Sequence, residues 1–211
     1  MQLRPDDLLL VVDLQLDFCP GGALAVAEGD SIIPPINQLA TRFQHVVLTQ
    51  DWHPADHLSF ASQHPGRQPY DTIELSYGPQ TLWPDHCVQG SPGAQFHPAL
   101  DIPNPSLILR KGIHREVDSY SAFYENDHQT PTGLADWVRD RGIQRIFVAG
   151  LALDFCVRYT AADGAGCGFK VLVIEDACRP VNLPGSLDAT HKQFRSLGLK
   201  PVTIAEVLST N

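Results

Sequence analysis

The fold is decided by one stretch of sequence, Ile146-Phe147-Val148-Ala149-Gly150-Leu151-Ala152-Leu153-Asp154-Phe155-Cys156-Val157-Arg158-Tyr159-Thr160. Its first four residues are apolar, as in a strand buried on both faces, and Gly150 ends that run. A helix is then predicted to begin near Cys156. At a helix start, free N–H groups and the helix dipole lower a cysteine's pKa, which favours a thiolate nucleophile. Because free cysteine is also a common buried apolar residue, the position alone fits a nucleophile and a core residue equally well.

Two further apolar runs each lead to an ionisable residue. The run at residues 8–12 precedes Asp13, and the run at residues 107–109 is followed two residues on by Lys111. In an open parallel sheet the carboxyl ends of the strands line one crevice, where ligands bind. The sequence therefore predicts that a carboxylate, an ammonium and the thiol meet at this edge.

The alternation of strand and helix patterns predicts a doubly wound α/β domain, with helices on both faces of a mostly parallel, six-stranded sheet. Predicted strands occupy residues 8–12, 45–50, 106–110, 145–149, 170–174 and 201–204, and predicted helices occupy residues 31–43, 134–141, 156–166 and 186–197. Residues 51–105 show no regular period and are expected to form a long functional loop excursion or a small lid, which holds most of the candidate metal ligands. At 211 residues and 43% hydrophobic content, a single domain over residues 1–211 is expected.

Charge and cysteine content limit the classes of partner and compartment. A net charge of -9 argues against nucleic-acid and anionic-membrane partners. No apolar run approaches the roughly 20 residues that span a bilayer, and the N-terminus lacks a signal-peptide pattern, so a soluble, cytoplasmic chain is expected. Five cysteines without a CxxC pair predict reduced thiols. Monomer and homo-oligomer remain open.

A series of motifs extends along nearly the whole chain. In order they are Val12-Asp13-Leu14-Gln15 with Asp17-Phe18, Gly21-Gly22-Ala23-Leu24, Asp51-Trp52-His53-Pro54, Leu82-Trp83-Pro84-Asp85-His86-Cys87-Val88-Gln89, Lys111-Gly112, Asp118-Ser119-Tyr120-Ser121-Ala122-Phe123 and Asp154-Phe155-Cys156-Val157. Together they resemble the nicotinamidases of the isochorismatase-like cysteine hydrolases. Several motifs in the right order are far more specific than any one of them.

The resemblance implies a metal-dependent amidohydrolase of NAD salvage that converts nicotinamide to nicotinate and ammonia through a cysteine thioester. Pyrazinamide is a second candidate substrate. The family's catalytic triad falls on Asp13, Lys111 and Cys156, with Asp13 as the general base and Lys111 as its ion-pair partner. The oxyanion would be bound by the backbone N–H groups of Ala152 and Cys156, which the family presents with a cis peptide before the residue matching Ala152.

The resemblance also implies one divalent metal ion. In extended chain, Asp51 and His53 point the same way with backbones roughly 7 Å apart, although an isolated DxH pair at a turn would be merely hydrophilic. His86 matches the family's further ligand and completes a set of one carboxylate and two imidazoles. Zinc is the expected ion, with iron and manganese as alternatives. His57 is expected beside this set rather than in it, although some relatives recruit a histidine downstream of the pair.

For nicotinamide, the resemblance implies that the metal binds the pyridine nitrogen, directly or through a bound water, and that Phe18, Trp83 and Tyr120 enclose the ring. For Tyr120, ordinary core packing is an almost equally good interpretation. Leu153 stands where many relatives carry threonine, so the hydrogen bonding near the oxyanion site is expected to differ.

Two alternative functions remain. The first is another isochorismatase-like cysteine hydrolase acting on a different small amide or an isochorismate-like ether, but such relatives generally lack the metal ligands. The second is a non-catalytic, metal-stabilised binding domain in which Cys156 belongs to the core. Asp13 and Lys111 disfavour it, because unpaired charges at strand ends would be costly without a task.

Overall fold

The computed structural model describes residues 1–209. The strands are β1 (Asp7–Val12), β2 (His45–Asp51), β3 (Thr72–Leu75), β4 (Gly78–Thr81), β5 (Leu107–Lys111), β6 (Arg145–Leu151) and β7 (Lys170–Arg179). The α-helices are α1 (Ile33–Ala40), α2 (Leu134–Asp140), α3 (Arg158–Gly166), α4 (Ser186–Ser196) and α5 (Ile204–Leu208). Among residues 1–209, none of the helices combines the length and apolar content that a membrane-spanning helix requires.

The main sheet contains five parallel strands in the order β5-β2-β1-β6-β7. Every residue of β1 and of β6 is buried, as expected for strands covered on both faces. Alternate residues of β1 enter two cores. Leu9 packs with α1 and α5 on one face, whereas Leu8 and Leu10 pack with α2, α3 and α4 on the other. The α/β prediction with helices on both faces is therefore confirmed.

Gly150 allows β6 to lie close against β1. Its φ is +122°, and a Cβ at this position would lie 2.2 Å from the carbonyl oxygen of Val12. Only glycine tolerates both the backbone conformation and the close approach. The residue that ends the apolar run in the sequence thus also aligns the carboxyl ends of the two central strands.

The prediction of a sixth strand is wrong. Val202 pairs with Ile174 through a single bridge, and the next residue, Thr203, is the N-cap of α5. The Thr203 side chain accepts a hydrogen bond from the Glu206 N–H, and the Glu206 carboxylate accepts one from the Thr203 N–H. This reciprocal cap turns the chain into a helix directly after Val202, so the extended segment is too short to form a strand.

The excursion at residues 51–105 is not a loop throughout, because β3 and β4 form an antiparallel hairpin within it. The hairpin is separate from the main sheet. The rest of the excursion is tied to the chain around it by single bridges, including His53 with Val88 and Phe60 with Trp83. β7 also continues to Arg179, beyond the strand predicted at residues 170–174.

Candidate active site

Asp13, Lys111 and Cys156 meet at the carboxyl edge of the sheet. Asp13 directly follows β1, Lys111 is the last residue of β5, and Cys156 lies in a π-helical turn, Leu153–Val157, that follows β6. Lys111 Nζ is 2.9 Å from Asp13 Oδ2 and 3.5 Å from Cys156 Sγ. All three side chains are buried. The structure therefore brings together the three residues that the strand ends predicted to converge.

Asp13 is fixed by Thr49, a residue of the neighbouring strand β2. Thr49 Oγ1, on β2, donates to Asp13 Oδ1 at 2.6 Å and accepts from the Asp13 N–H at 3.2 Å. Burial raises the pKa of Asp13, while Lys111 opposes that rise. A carboxylate with a raised pKa is a better match for taking a proton from a thiol.

Lys111 is held from several sides. Its ammonium donates to Asp51 Oδ1 and, at 2.9 Å, to the carbonyl oxygen of Ser119, in addition to facing Asp13. Burial alone would lower the pKa of Lys111, but the carboxylates of Asp13 and Asp51 raise it well above its usual range. Lys111 therefore stays cationic in a site that excludes water.

The expectation that a helix start lowers the pKa of Cys156 is wrong. The α-helix begins only at Arg158, and burial raises the pKa of the Cys156 thiol well above its usual range. Lys111 opposes this rise, whereas the nearby carboxylates of Asp13 and Asp51 add to it. The thiol is thus protonated at rest and needs a base to become a nucleophile.

The predicted oxyanion residues, Ala152 and Cys156, both line the cavity beside the thiol. The peptide bond between Leu151 and Ala152 is cis. Leu153 is directed into the core on the side of α2 and α3. Asp154 anchors the turn, because its carboxylate accepts hydrogen bonds at 2.8 Å from the N–H groups of Val181 and Asn182.

Asp51, His53 and His86 form a group whose ligand atoms all lie within 4.8 Å of one another. The Nε2 atoms of His53 and His86 lie 3.6 and 3.8 Å from Asp51 Oδ2. Their Nδ1 atoms contact the carbonyl oxygens of Gly112 at 2.9 Å and Pro84 at 2.8 Å. A carbonyl can only accept, so each Nδ1 carries the hydrogen and each Nε2 keeps its lone pair. Two oriented imidazoles and one carboxylate fit a divalent metal ion.

His57 lies beside this group and does not belong to it. Its ring centroid is 4.4 Å from that of His53, and its Nδ1 is 2.7 Å from Ser59 Oγ. Burial lowers the pKa of His57 to about 4. Within residues 1–209 its buried Nε2 has no hydrogen-bond partner, although His53, His57 and Asp118 form a second cluster of potential ligand atoms.

Aromatic side chains enclose the cavity beside Cys156. Trp83 packs edge-on against Phe155, with ring centroids 4.8 Å apart, and Tyr120 packs against Phe155 at 5.6 Å. The cavity volume is about 20 Å³, room for one water molecule. Its lining residues are Phe18, Leu24, Asp51, Trp83, His86, Asp118, Tyr120, Ala152, Phe155, Cys156 and Val181.

Sequence reasoning missed Asp118 and Phe155, which line the cavity, and Thr49, which holds Asp13. Asp118 and Phe155 both lie inside quoted motifs, next to residues that were assigned roles. Their positions within these motifs could have identified them as candidate site residues. Thr49 gave no signal, because it lies inside an otherwise ordinary buried strand.

Comparison with known proteins is consistent with this site. The Isochorismatase domain family matches residues 7–206, and the chain belongs to that family. A nicotinamidase from Acinetobacter baylyi is 52% identical over 200 residues, which cover 95% of this chain and 94% of that protein. The solved nicotinamidase/pyrazinamidase of Acinetobacter baumanii is 53% identical with a TM-score of 0.97, covering 98% of this chain and 100% of that one. A pyrazinamidase from Pyrococcus horikoshii, solved in complex with zinc, is 35% identical with a TM-score of 0.76 and covers 94% and 99%.

Proposed function

We propose that this chain hydrolyses the carboxamide of nicotinamide to nicotinate and ammonia, a reaction of NAD salvage. The observation that carries the proposal is the contact of Lys111 with both Asp13 and Cys156, at the wall of an aromatic cavity that also includes two metal-type ligands. Nicotinamidases of about half identity over almost their full length support the same reaction.

The proposed reaction begins with transfer of the Cys156 proton to Asp13. The thiolate attacks the amide carbon, and the backbone N–H groups of Ala152 and Cys156 stabilise the oxyanion that forms. Asp13 then returns the proton to the leaving nitrogen, the C–N bond breaks and ammonia departs. A thioester remains on Cys156. Asp13 next accepts a proton from a water molecule that attacks the thioester, which releases nicotinate and regenerates the thiol.

Lys111 has an electrostatic role in this scheme. Its ammonium stabilises the ionised form of Asp13 before the reaction and the thiolate of Cys156 after proton transfer. Both effects act in a buried site, where charge interactions are stronger than in water. Lys111 therefore lowers the cost of separating the proton from sulfur.

Asp51, His53 and His86 would hold one divalent metal ion, for which we propose zinc. Bound there, the ion would supply a Lewis acid for the pyridine nitrogen of the substrate. Phe18, Trp83 and Tyr120 would contact the ring faces and edges.

The test is the release of ammonia from nicotinamide by the purified protein loaded with zinc. Benzamide provides the matched comparison, because it carries the same carboxamide on a ring without the nitrogen. We expect nicotinate and ammonia in equal amounts from nicotinamide and much slower release from benzamide. No ammonia from nicotinamide with the metal bound would refute the function, and faster hydrolysis of a carbamoyl amide would favour the alternative hydrolase.

A single domain over residues 1–211, a cytoplasmic location and the lack of nucleic-acid or membrane partners stay predictions from the sequence. Residues 210–211 lie outside the part of the chain that the structure describes.

A further inference from the structure

Gln80 is a buried amide in a hairpin that is otherwise half-buried or exposed. It lies on β4, and 1% of its surface is exposed. A two-stranded hairpin has no core of its own. A buried amide costs free energy unless its polar atoms are hydrogen-bonded. The partners of Gln80 therefore explain why the hairpin packs where it does.

The orientation of the Gln80 amide follows from its neighbours. The carboxylate of Asp118 and the carbonyl of Thr81 can only accept hydrogen bonds, so Nε2 must face them, at 2.9 and 2.6 Å. The same nitrogen lies 2.9 Å from Tyr120 Oη. On the opposite side, Oε1 accepts from Tyr77 Oη at 3.0 Å. Both polar atoms of the amide are thus in use.

One partner of Gln80 is a wall of the substrate cavity. Tyr120 Oη accepts a hydrogen bond from Trp83 Nε1 at 3.0 Å and lies 2.9 Å from Gln80 Nε2, so the hydroxyl is held between these two side chains. The Tyr120 ring packs edge-on against Phe155, which lines the same cavity as Cys156. Loss of the Gln80 contact would leave the Tyr120 ring free to shift.

The other partner of Gln80, Asp118, lies near the proposed metal ligand His53 and is linked through Ser119 to Lys111. The carboxylate of Asp118 lies in a cluster with His53 and His57, with potential ligand atoms within 4.8 Å of one another. Asp118 Oδ1 accepts from the Ser119 N–H at 2.8 Å, and the Ser119 carbonyl accepts from Lys111 Nζ at 2.9 Å. The segment that carries Asp118 and Tyr120 is therefore bonded to both ends of the site.

We propose that Gln80 is a positioning residue that sets the width of the substrate's ring pocket. It links the aromatic wall at Tyr120 to the carboxylate of Asp118, next to the metal ligands, and it does not itself line the cavity. This inference rests on the proposed function, in which a pyridine ring lies between that wall and the metal. Because Gln80 acts on the ring pocket and not on the thiol, its loss should impair binding more than chemistry.

The test compares Gln80→Leu with Gln68→Leu, the same substitution at an exposed glutamine. We expect Gln80→Leu to raise KM for nicotinamide roughly tenfold, with kcat within about threefold of the wild-type value, since a lost positioning hydrogen bond has that order of effect. The rate of Cys156 alkylation by iodoacetamide and the zinc content should not change. Gln68→Leu should match the wild type.

Tyr120→Phe cuts the same contact from its other end and serves if Gln80→Leu does not fold. It should raise KM with little change in kcat, and the two effects on KM should combine less than multiplicatively in the double variant, because both substitutions remove the contact between Gln80 and Tyr120. The inference would be overturned if the effects of the two substitutions on KM multiplied in the double variant, or if Gln80→Leu lowered kcat at constant KM. Equal kinetic constants for Gln80→Leu and Gln68→Leu would also overturn it. A wild-type protein that releases no ammonia would instead refute the proposed function.

Discussion

The ammonium of Lys111 lies 2.9 Å from the carboxylate of Asp13, and neither side chain is exposed to solvent. Lys111 also donates to Asp51, so one cation faces two buried carboxylates. The excess negative charge lies on the side of His53 and His86, where a divalent cation would balance it. The triad and the metal ligands therefore form one electrostatic unit that shares Asp51.

Asp13→Asn should lower kcat for nicotinamide by roughly 10²–10⁴-fold, the usual value of general-base assistance. Asparagine can still accept the hydrogen bond from Thr49, so the fold should be retained. Steady-state ammonia release measures the effect, and circular dichroism checks the fold. A folded variant with a near-normal rate would remove Asp13 from the proposed mechanism.

Cys156→Ala should abolish turnover while zinc content and nicotinate binding persist, because the thiol is a nucleophile in the proposal and not a metal ligand. Cys167→Ala is the matched control, since Cys167 is a half-buried free thiol at the far end of α3. Its activity should equal that of the wild type. Loss of zinc from Cys156→Ala would refute this separation of roles.

Gly112→Ala should weaken metal binding about 10–100-fold, the typical effect of disturbing a group that orients a metal ligand. Gly112 has φ +64°, its carbonyl accepts from His53 Nδ1, and a Cβ here would lie 2.4 Å from the His53 ring. Gly133→Ala is the control: φ is +89°, but no heavy atom lies within 4 Å. Zinc titration measures the affinity of each variant. Equal zinc affinities in Gly112→Ala and Gly133→Ala would show that the contact between residue 112 and the His53 ring does not affect metal binding.

Asp163→Asn should raise the thermal midpoint at pH 7. Burial raises the pKa of Asp163 although a hydrogen bond from Ser121 opposes the rise, and within residues 1–209 the Oδ2 atom has no hydrogen-bond partner. For a carboxyl with a raised folded-state pKa, stability is greatest below the unfolded-state pKa, about 3.9, and is lost as pH rises through the folded-state pKa. An unpaired buried group costs about 1 kcal/mol or more, so a gain of roughly 2–4 °C is expected. Calorimetry at pH 7 and pH 3.5 should show the gain only at pH 7.

The meeting of Asp13, Lys111 and Cys156 could be predicted from sequence because each residue lies at or after the carboxyl end of a strand, and parallel strands bring their carboxyl ends together. The strand order was not needed for that inference. What a local pattern could not supply was the environment of the thiol. The helix-start rule gave the wrong direction for the pKa of Cys156, because burial, a tertiary effect, outweighs it.

The sequence-based predictions missed the β3–β4 hairpin and placed a sixth strand wrongly for a different reason. In β3 and β4 the apolar period is too short to stand out, and the one buried side chain, Gln80, is polar. Its role depends on Tyr120 and Asp118, which lie about 40 residues further along the chain. Near the C-terminus, Thr203 and Glu206 have the spacing of a capping box, which predicts a helix start. The strand-like residues before them favoured a strand prediction instead.

Removal of the metal ion should abolish nicotinamide binding and leave the nucleophile intact. Asp51 and His86 line the cavity and His53 completes the ligand set, whereas the base for Cys156 is Asp13, which is not a member of that set. We therefore expect chelator-treated protein to lose measurable nicotinamide affinity, while iodoacetamide alkylates Cys156 at a rate similar to that of the zinc-loaded protein. Equilibrium binding and mass spectrometry measure the two effects. If the ion instead promotes hydrolysis of the thioester, the metal-free protein will still bind nicotinamide and will accumulate an acyl-enzyme, which would show our assignment to be wrong. Restoring activity with zinc, iron(II) or manganese in turn would then rank the ions, which the ligand types alone do not distinguish.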